Sequence, residues 1–136
     1  MSATDGTTPH PGFAVALPFG RDAAGAARAM VGQLLVDQGC PGHLVDDGRL
    51  VAHELVTNSV VHGAPGADAE ISLSCRVSDT YVVIAVLDHG RRGNVAVQHA
   101  SAQDMSGRGL AIVEALSERW SVDRSDGTRV EAWLAR

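Results

Sequence analysis

The chain has 136 residues, 45% of them hydrophobic, 4% aromatic and 20% charged, with a formal net charge of −5. That suits one globular domain; no run reaches the ~18 apolar residues of a membrane span, no charged-then-apolar start resembles a secretory signal, and no basic cluster suggests a nucleic-acid surface. All eleven basic residues are arginine, which excludes every chemistry that needs a lysine of this chain: the Walker A loop, the usual protein-kinase strand lysine and Schiff-base catalysis.

In chain order, residues 1–12 are rich in Ser, Thr, Pro and Gly and bury too little to offset the entropy of ordering, so a disordered tail is expected, with the domain spanning 13–136. A short strand is expected over 13–17. Ala23, Ala26, Ala27, Met30, Leu34 and Leu35 recur at helical spacing over 21–36, ending before Gly39 and Pro41. Leu44, Val51, Leu55, Val56, Val60 and Val61 predict a second helix over 44–62, stopped by Gly63 and Pro65. Alternation of Ile71, Leu73, Cys75 and Val77 with polar residues predicts a strand with one solvated face over 71–77. The uninterrupted apolar run 81–87 suits a central strand covered on both faces, leading into Asp88. Residues 89–106 carry little periodicity and exceed the usual connection of about 4–6 residues, which suggests a mobile lid. Gly107-Arg108-Gly109 opens a third helix whose apolar stripe is Leu110, Val113, Leu116 and Trp120, and a hairpin of strands 121–124 and 128–134 turns at Asp126-Gly127.

Cys40 and Cys75 are isolated thiols, far from the density of a disulfide scaffold, so a reducing, cytoplasmic setting is expected. His53-Glu54 begins like a zincin helix, but Thr57 stands where the second histidine is needed. The remaining histidines show no metal-ligand spacing with either cysteine, so zinc is not expected.

Three features carry possible chemistry. Glu54, Asn58 and His62 are spaced i, i+4, i+8 and form one polar ribbon beside Val51 and Leu55. A carboxylate and an amide set into an apolar face must be paired or hold something, since an unsatisfied buried polar group costs about 1–3 kcal/mol. The same spacing also fits a solvated Glu54 with Asn58 and His62 capping the helix end. Asp88, followed by Gly90 and Gly93, fits either a ligand's amino group or the start of a turn. Gly107-Arg108-Gly109-Leu110 offers free N–H groups and a positive dipole end to an anion. Without lysine, a polyphosphate there depends on this helix end, Arg108 and a divalent metal, for which Asn58 can supply an oxygen ligand.

Taken in order, Glu54-x-x-x-Asn58-x-x-x-His62-Gly63, Asp88-x-Gly90, Gly107-x-Gly109-Leu110 and the terminal Gly127-Thr128 resemble the N box, G1 box and G2 box of the GHKL, or histidine kinase-like, ATPase superfamily. The chain is most similar to the small anti-sigma factor serine/threonine kinases of the RsbW and SpoIIAB type, in particular their actinobacterial branch. It departs from the usual Asp-x-Gly-x-Gly at Arg92, which precedes Gly93.

The resemblance implies a two-layer α/β sandwich of the Bergerat type, a mixed sheet with helices on one face and ATP held between helices and lid. It implies that Glu54 is the general base or water-orienting group, that Asn58 ligates Mg2+, and that Asp88 reads the adenine amino group. Gly90 belongs to the G1 turn; Gly107, Arg108, Gly109 and Leu110 hold phosphates, with Arg108 also stabilising transferring charge; Thr128 lines the adenine end. The implied partners are a sigma factor and a STAS-type anti-anti-sigma protein that receives the γ-phosphate, with a homodimer expected. The alternative is an ATP-dependent protein-binding switch that transfers no phosphate. A sensor histidine kinase fits less well, because the chain lacks room for a dimerisation helix pair.

Overall fold

A computed structural model describes residues 10–62, 70–88 and 108–136, the side chains of His62 and Arg108 excepted. Strand β1 (Gly12–Pro18) is followed by helices α1 (Ala23–Asp37) and α2 (Gly42–His62), strands β2 (Glu70–Val77) and β3 (Tyr81–Asp88), helix α3 (Arg108–Leu116), and strands β4 (Arg119–Asp123) and β5 (Thr128–Ala135). The expected lid at 89–106 and most of the expected tail lie outside the described residues. Strand pairing begins at Gly12, opposite Arg76, and Pro11 O accepts a 2.9 Å bond from Val77 N–H.

The five strands form one sheet in the order β1-β2-β3-β5-β4. Every pairing among the described residues is antiparallel, where a mixed sheet was expected. The chain passes from β3 through α3 to β4, and those two strands do point the same way. They are not neighbours, however, because β5 lies between them and opposes both.

Residues directly opposite one another in antiparallel strands share a face. One face therefore gathers Ile71, Leu73, Cys75 and Val77 with Val82, Ile84, Val86 and Asp88, continued by Thr128, Val130, Ala132 and Leu134. Its apolar members form a single core with Ala27, Val31 and Leu35 of α1, Val51, Leu55 and Val56 of α2, and Leu110 and Val113 of α3. The helices thus cover one face, as expected for the two-layer sandwich. The opposite face carries Ser72, Ser74, Arg76 and Glu131, with Tyr81 edge-on to Trp133 at 5.5 Å and the Arg119 guanidinium 4.0 Å above the Trp133 ring.

The helix ends explain how these layers are joined. Gly39, at φ 73°, follows α1 with its N–H bonded to Val36 O while Cys40 N–H bonds to Leu35 O. This left-handed cap favours glycine and stops the helix where the sequence suggested. Pro41 then starts α2, its carbonyl accepting from Leu44 and Val45 N–H. Of the apolar residues read in helix α1, Ala23, Ala27 and Leu35 are buried and Ala26, Met30 and Leu34 are partly covered, while Val31, outside that set, is fully buried. Val61, one of the apolar residues whose spacing predicted α2, is 65% exposed at its end.

Trp120 is a further correction. It belongs to β4, not to the stripe of α3, which ends at Leu116. It alternates with Val122 on the face toward the helices, opposite Ala132, so a period of two wins over the helical spacing. Cys75 lies on the same inner face, where burial, reinforced by the nearby Cys40 thiol, pushes its thiol up to about 12. Both cysteines are free and buried, and Cys75 at least is an inert packing group.

Candidate functional site

Helix α2 packs against β3 and β5 of the sheet and against both other helices, so its residues face different neighbours around the axis. Val51, Leu55 and Val56 are buried, while Glu54 and Asn58, one turn apart between them, are half-buried. Glu54 and Asn58 of the polar ribbon read from the sequence therefore lie at the margin of the core, and the side chain of its third member, His62, lies outside the description.

Glu54 meets the first turn of α3. A side chain on Gly109 would place its Cβ 3.0 Å from Glu54 Oε1, tighter than side chains ordinarily approach, and 4.0 Å from Glu54 Cβ. Glycine at this position therefore leaves room for the carboxylate. Residues 55 positions apart in the chain are brought together, joining the predicted N box to the predicted G2 box. Leu110, next in α3, is 3% exposed and anchors the helix in the core, so its side chain is occupied by packing.

The first turn of a helix exposes unsatisfied N–H groups and a partial positive charge. A carboxylate beside it is favourable, but it also repels an anion entering the same place. A polyphosphate held at this turn needs compensating positive charge, and arginine takes the place that lysine fills elsewhere, since the chain has no lysine.

Asp88 closes β3 on the helix-covered face, paired in register with Ile71 on one side and Thr128 on the other. At 6% exposure it is the only buried charged residue among the described residues. Ionised carboxylates accept hydrogen bonds and cannot donate, so Asp88 and the Thr128 hydroxyl form an adjacent acceptor and donor-acceptor pair at one end of the sheet. The turn before β5 sets this register: Gly127 has φ 77°, and Ser125 N–H bonds the Asp123 carboxylate at 2.9 Å, which holds that carboxyl below its usual range.

Of the residues expected at the site, Glu54 and Gly109 are in contact, Asn58 lies one turn from Glu54, and Asp88 is beside Thr128. Gly90 and Gly107 lie outside the described residues, as does the side chain of Arg108. Two features escaped the sequence reading. His53 Nδ1 is buried without a hydrogen-bond partner among the described residues. Arg49 of α2 lies across α1, its guanidinium end occupying the space that a Gly32 side chain would fill. A glycine inside a helix, costly by about 1 kcal/mol relative to alanine, was the available signal for that crossing.

The described residues thus form an α/β sandwich in which a carboxylate of α2 meets the glycine-opened start of α3, and an aspartate closes β3 on the helix-covered face. The sequence model of the histidine kinase-like ATPase domain family matches residues 17–134, and the chain belongs to that family. Membership makes it an ATP-binding domain. Its fold is similar to the crystal structure of the RsbU and RsbW domains of Rv1364c from Mycobacterium tuberculosis, with a TM-score of 0.70 and 24% identity over 94% of this chain and 34% of that one. The chain thus spans about a third of that structure's chain. No curated protein matches it.

Proposed function

We propose that this domain is a regulatory serine/threonine protein kinase of the anti-sigma factor type, with the site between α2, α3 and the Asp88 end of β3 as its ATP site. The observation that carries the reading is the approach of Glu54 to Gly109, which sets a carboxylate beside the helix start best suited to phosphate. ATP would supply the transferable phosphoryl group, and a bound Mg2+ would supply charge neutralisation there. Asn58 offers the metal an oxygen ligand, and Arg108 adds a second positive charge. Glu54 accepts the proton of a partner's serine hydroxyl as its oxygen is aligned for attack. Asp88 accepts a hydrogen bond from the adenine amino group, with Thr128 beside it. The partners in this reading are a sigma factor and a STAS-type anti-anti-sigma protein, the latter the phosphate acceptor, and the domain acts as a homodimer.

Incubation with γ-labelled Mg-ATP and candidate STAS-type proteins tests the kinase reading; labelled serine is expected, and no incorporation into any candidate overturns it. The nucleotide site is tested separately by calorimetry. Asn58→Ala is expected to weaken ATP more than adenosine, and only when magnesium is present, because it removes a metal ligand and leaves the base contact alone. Equal ATP affinity for both proteins, with and without chelator, removes Asn58 from the metal site. Asp88→Asn is expected to narrow the preference for ATP over GTP, since an amide donates as well as accepts and guanine presents a carbonyl where adenine has its amino group. Unchanged discrimination means that Asp88 does not read the base.

A further inference from the structure

A concavity of about 370 Å³ lies between α1 and α2, lined by Gly25, Arg28 and Ala29 of α1 and Arg49 of α2. Arg49 and Glu54 are five residues apart on α2, which is about 140° around the helix axis, so this concavity and the Glu54 site lie on different sides of α2. Its charge is unusual for this chain. The protein carries a net −5, and Asp46 and Asp47 lie within one turn of Arg49. Neither Arg28 nor Arg49 nonetheless has an ion-pair or hydrogen-bond partner among the described residues.

The glycines differ in what they do. Gly32 makes room for Arg49, and Gly48 makes room for Leu35, so internal packing accounts for both. Gly25 has no such neighbour: a Cβ there would meet nothing within 4 Å. A helical glycine costs stability relative to alanine, by less in the first turn than in the interior. What Gly25 provides is a bare backbone floor, open to close approach from outside, with Ala29 one turn along the same side.

We propose that this concavity docks an acidic segment of a protein partner, Arg28 and Arg49 pairing with its carboxylates while the segment lies over Gly25 and Ala29. A small anion is a poor occupant. Both arginines are exposed, and an exposed ion pair is worth only about 0–1 kcal/mol before salt screening. A peptide adds contact over the small-residue floor to the two charge pairs, and an arginine fork suits a carboxylate geometrically. The proposal is independent of the nucleotide reading, because it uses neither Glu54, Asn58 nor Asp88.

The experiment is a titration of the full, isotope-labelled chain without nucleotide, at low ionic strength, with hexaglutamate as probe. Signals are followed by NMR at the amides of Gly25 and Ala29 and at the Nε–H groups of Arg28 and Arg49. Hexaglutamate is expected to shift these four residues, and hexaglutamine is expected to shift none. Arg28→Gln combined with Arg49→Gln should weaken hexaglutamate by about tenfold. Gly25→Leu, which keeps every charge and whose Cβ meets nothing within 4 Å, should weaken it comparably by filling the floor. Arg76→Gln, on the opposite face of the sheet, should change nothing. Absence of shifts, equal shifts from inorganic phosphate, equal loss in Arg76→Gln, or full binding by Gly25→Leu each overturns the proposal. Should Gly25→Leu fail to fold, the exposed arginine pair and the Arg76 control still decide.

Discussion

Glu54→Gln is expected to lower serine phosphorylation of the partner by about 10²–10⁴-fold, the usual worth of general-base assistance, while ATP affinity changes by less than about tenfold. Glutamine keeps the length and most of the contacts of Glu54, including the approach to Gly109, so the helix start keeps its shape. It loses the charge that accepts a proton from the attacking hydroxyl. Loss of an interaction made only in the transition state lowers turnover without raising the ligand's dissociation constant, and this split is what the assay reads. Phosphate incorporation at saturating ATP, measured for both proteins side by side, gives the first quantity, and calorimetry gives the second. Equal transfer by the two proteins shows that Glu54 is not the base. A wild type that transfers no phosphate yet grips its partner in only one nucleotide state is a switch rather than a kinase.

The layers of this fold were legible where one local rule dominates. The unbroken apolar run of β3 reports a strand between two neighbours, and it lies between β2 and β5 with Val82 to Val86 buried. The Gly39-Cys40-Pro41 sequence specified the end of α1 through the left-handed cap. Trp120 was misread because a spacing of four from Leu116 fits a helix as well as its alternation with Val122 fits a strand, and only pairing with β5 decides. The antiparallel sheet was hidden for a similar reason: no local pattern states that β5 inserts between β3 and β4.

The site divided along the same line. Each short motif was readable by itself, because carboxylate, amide and glycine spacing are local properties. The contact between Glu54 and Gly109 and the pairing of Asp88 with Thr128 depend on how distant elements pack, so they appear only in three dimensions. The crossing of Arg49 over Gly32 is of that kind too. Its trace in the sequence was a single interior glycine, which taken alone fits any close helix approach.

The register of the sheet has a stability consequence that is larger than that of any surface change. Leu73 is fully buried, opposite Val86 on one side and Val15 on the other, and its side chain points toward the helices. Ser72, its neighbour on the same strand, points to the opposite face and is half-buried. Leu73→Ala removes buried carbon and leaves a cavity that a close-packed sheet and helix layer cannot fully close, so a loss of about 2–5 kcal/mol is expected. Ser72→Ala removes one hydroxyl at a partly exposed position and is expected to stay within about 0.5 kcal/mol. Urea unfolding of the three proteins followed by circular dichroism measures both, with the slope expected to stay constant so that the midpoint alone reports stability. Similar costs for the two substitutions, or a larger cost at Ser72, would require a one-residue slip of β2, since only that exchange of faces buries Ser72 and exposes Leu73. Because the same register sets Ile71 opposite Asp88, such a slip would also move the strand that flanks Asp88, and the adenine contact assigned to it would fail with the fold.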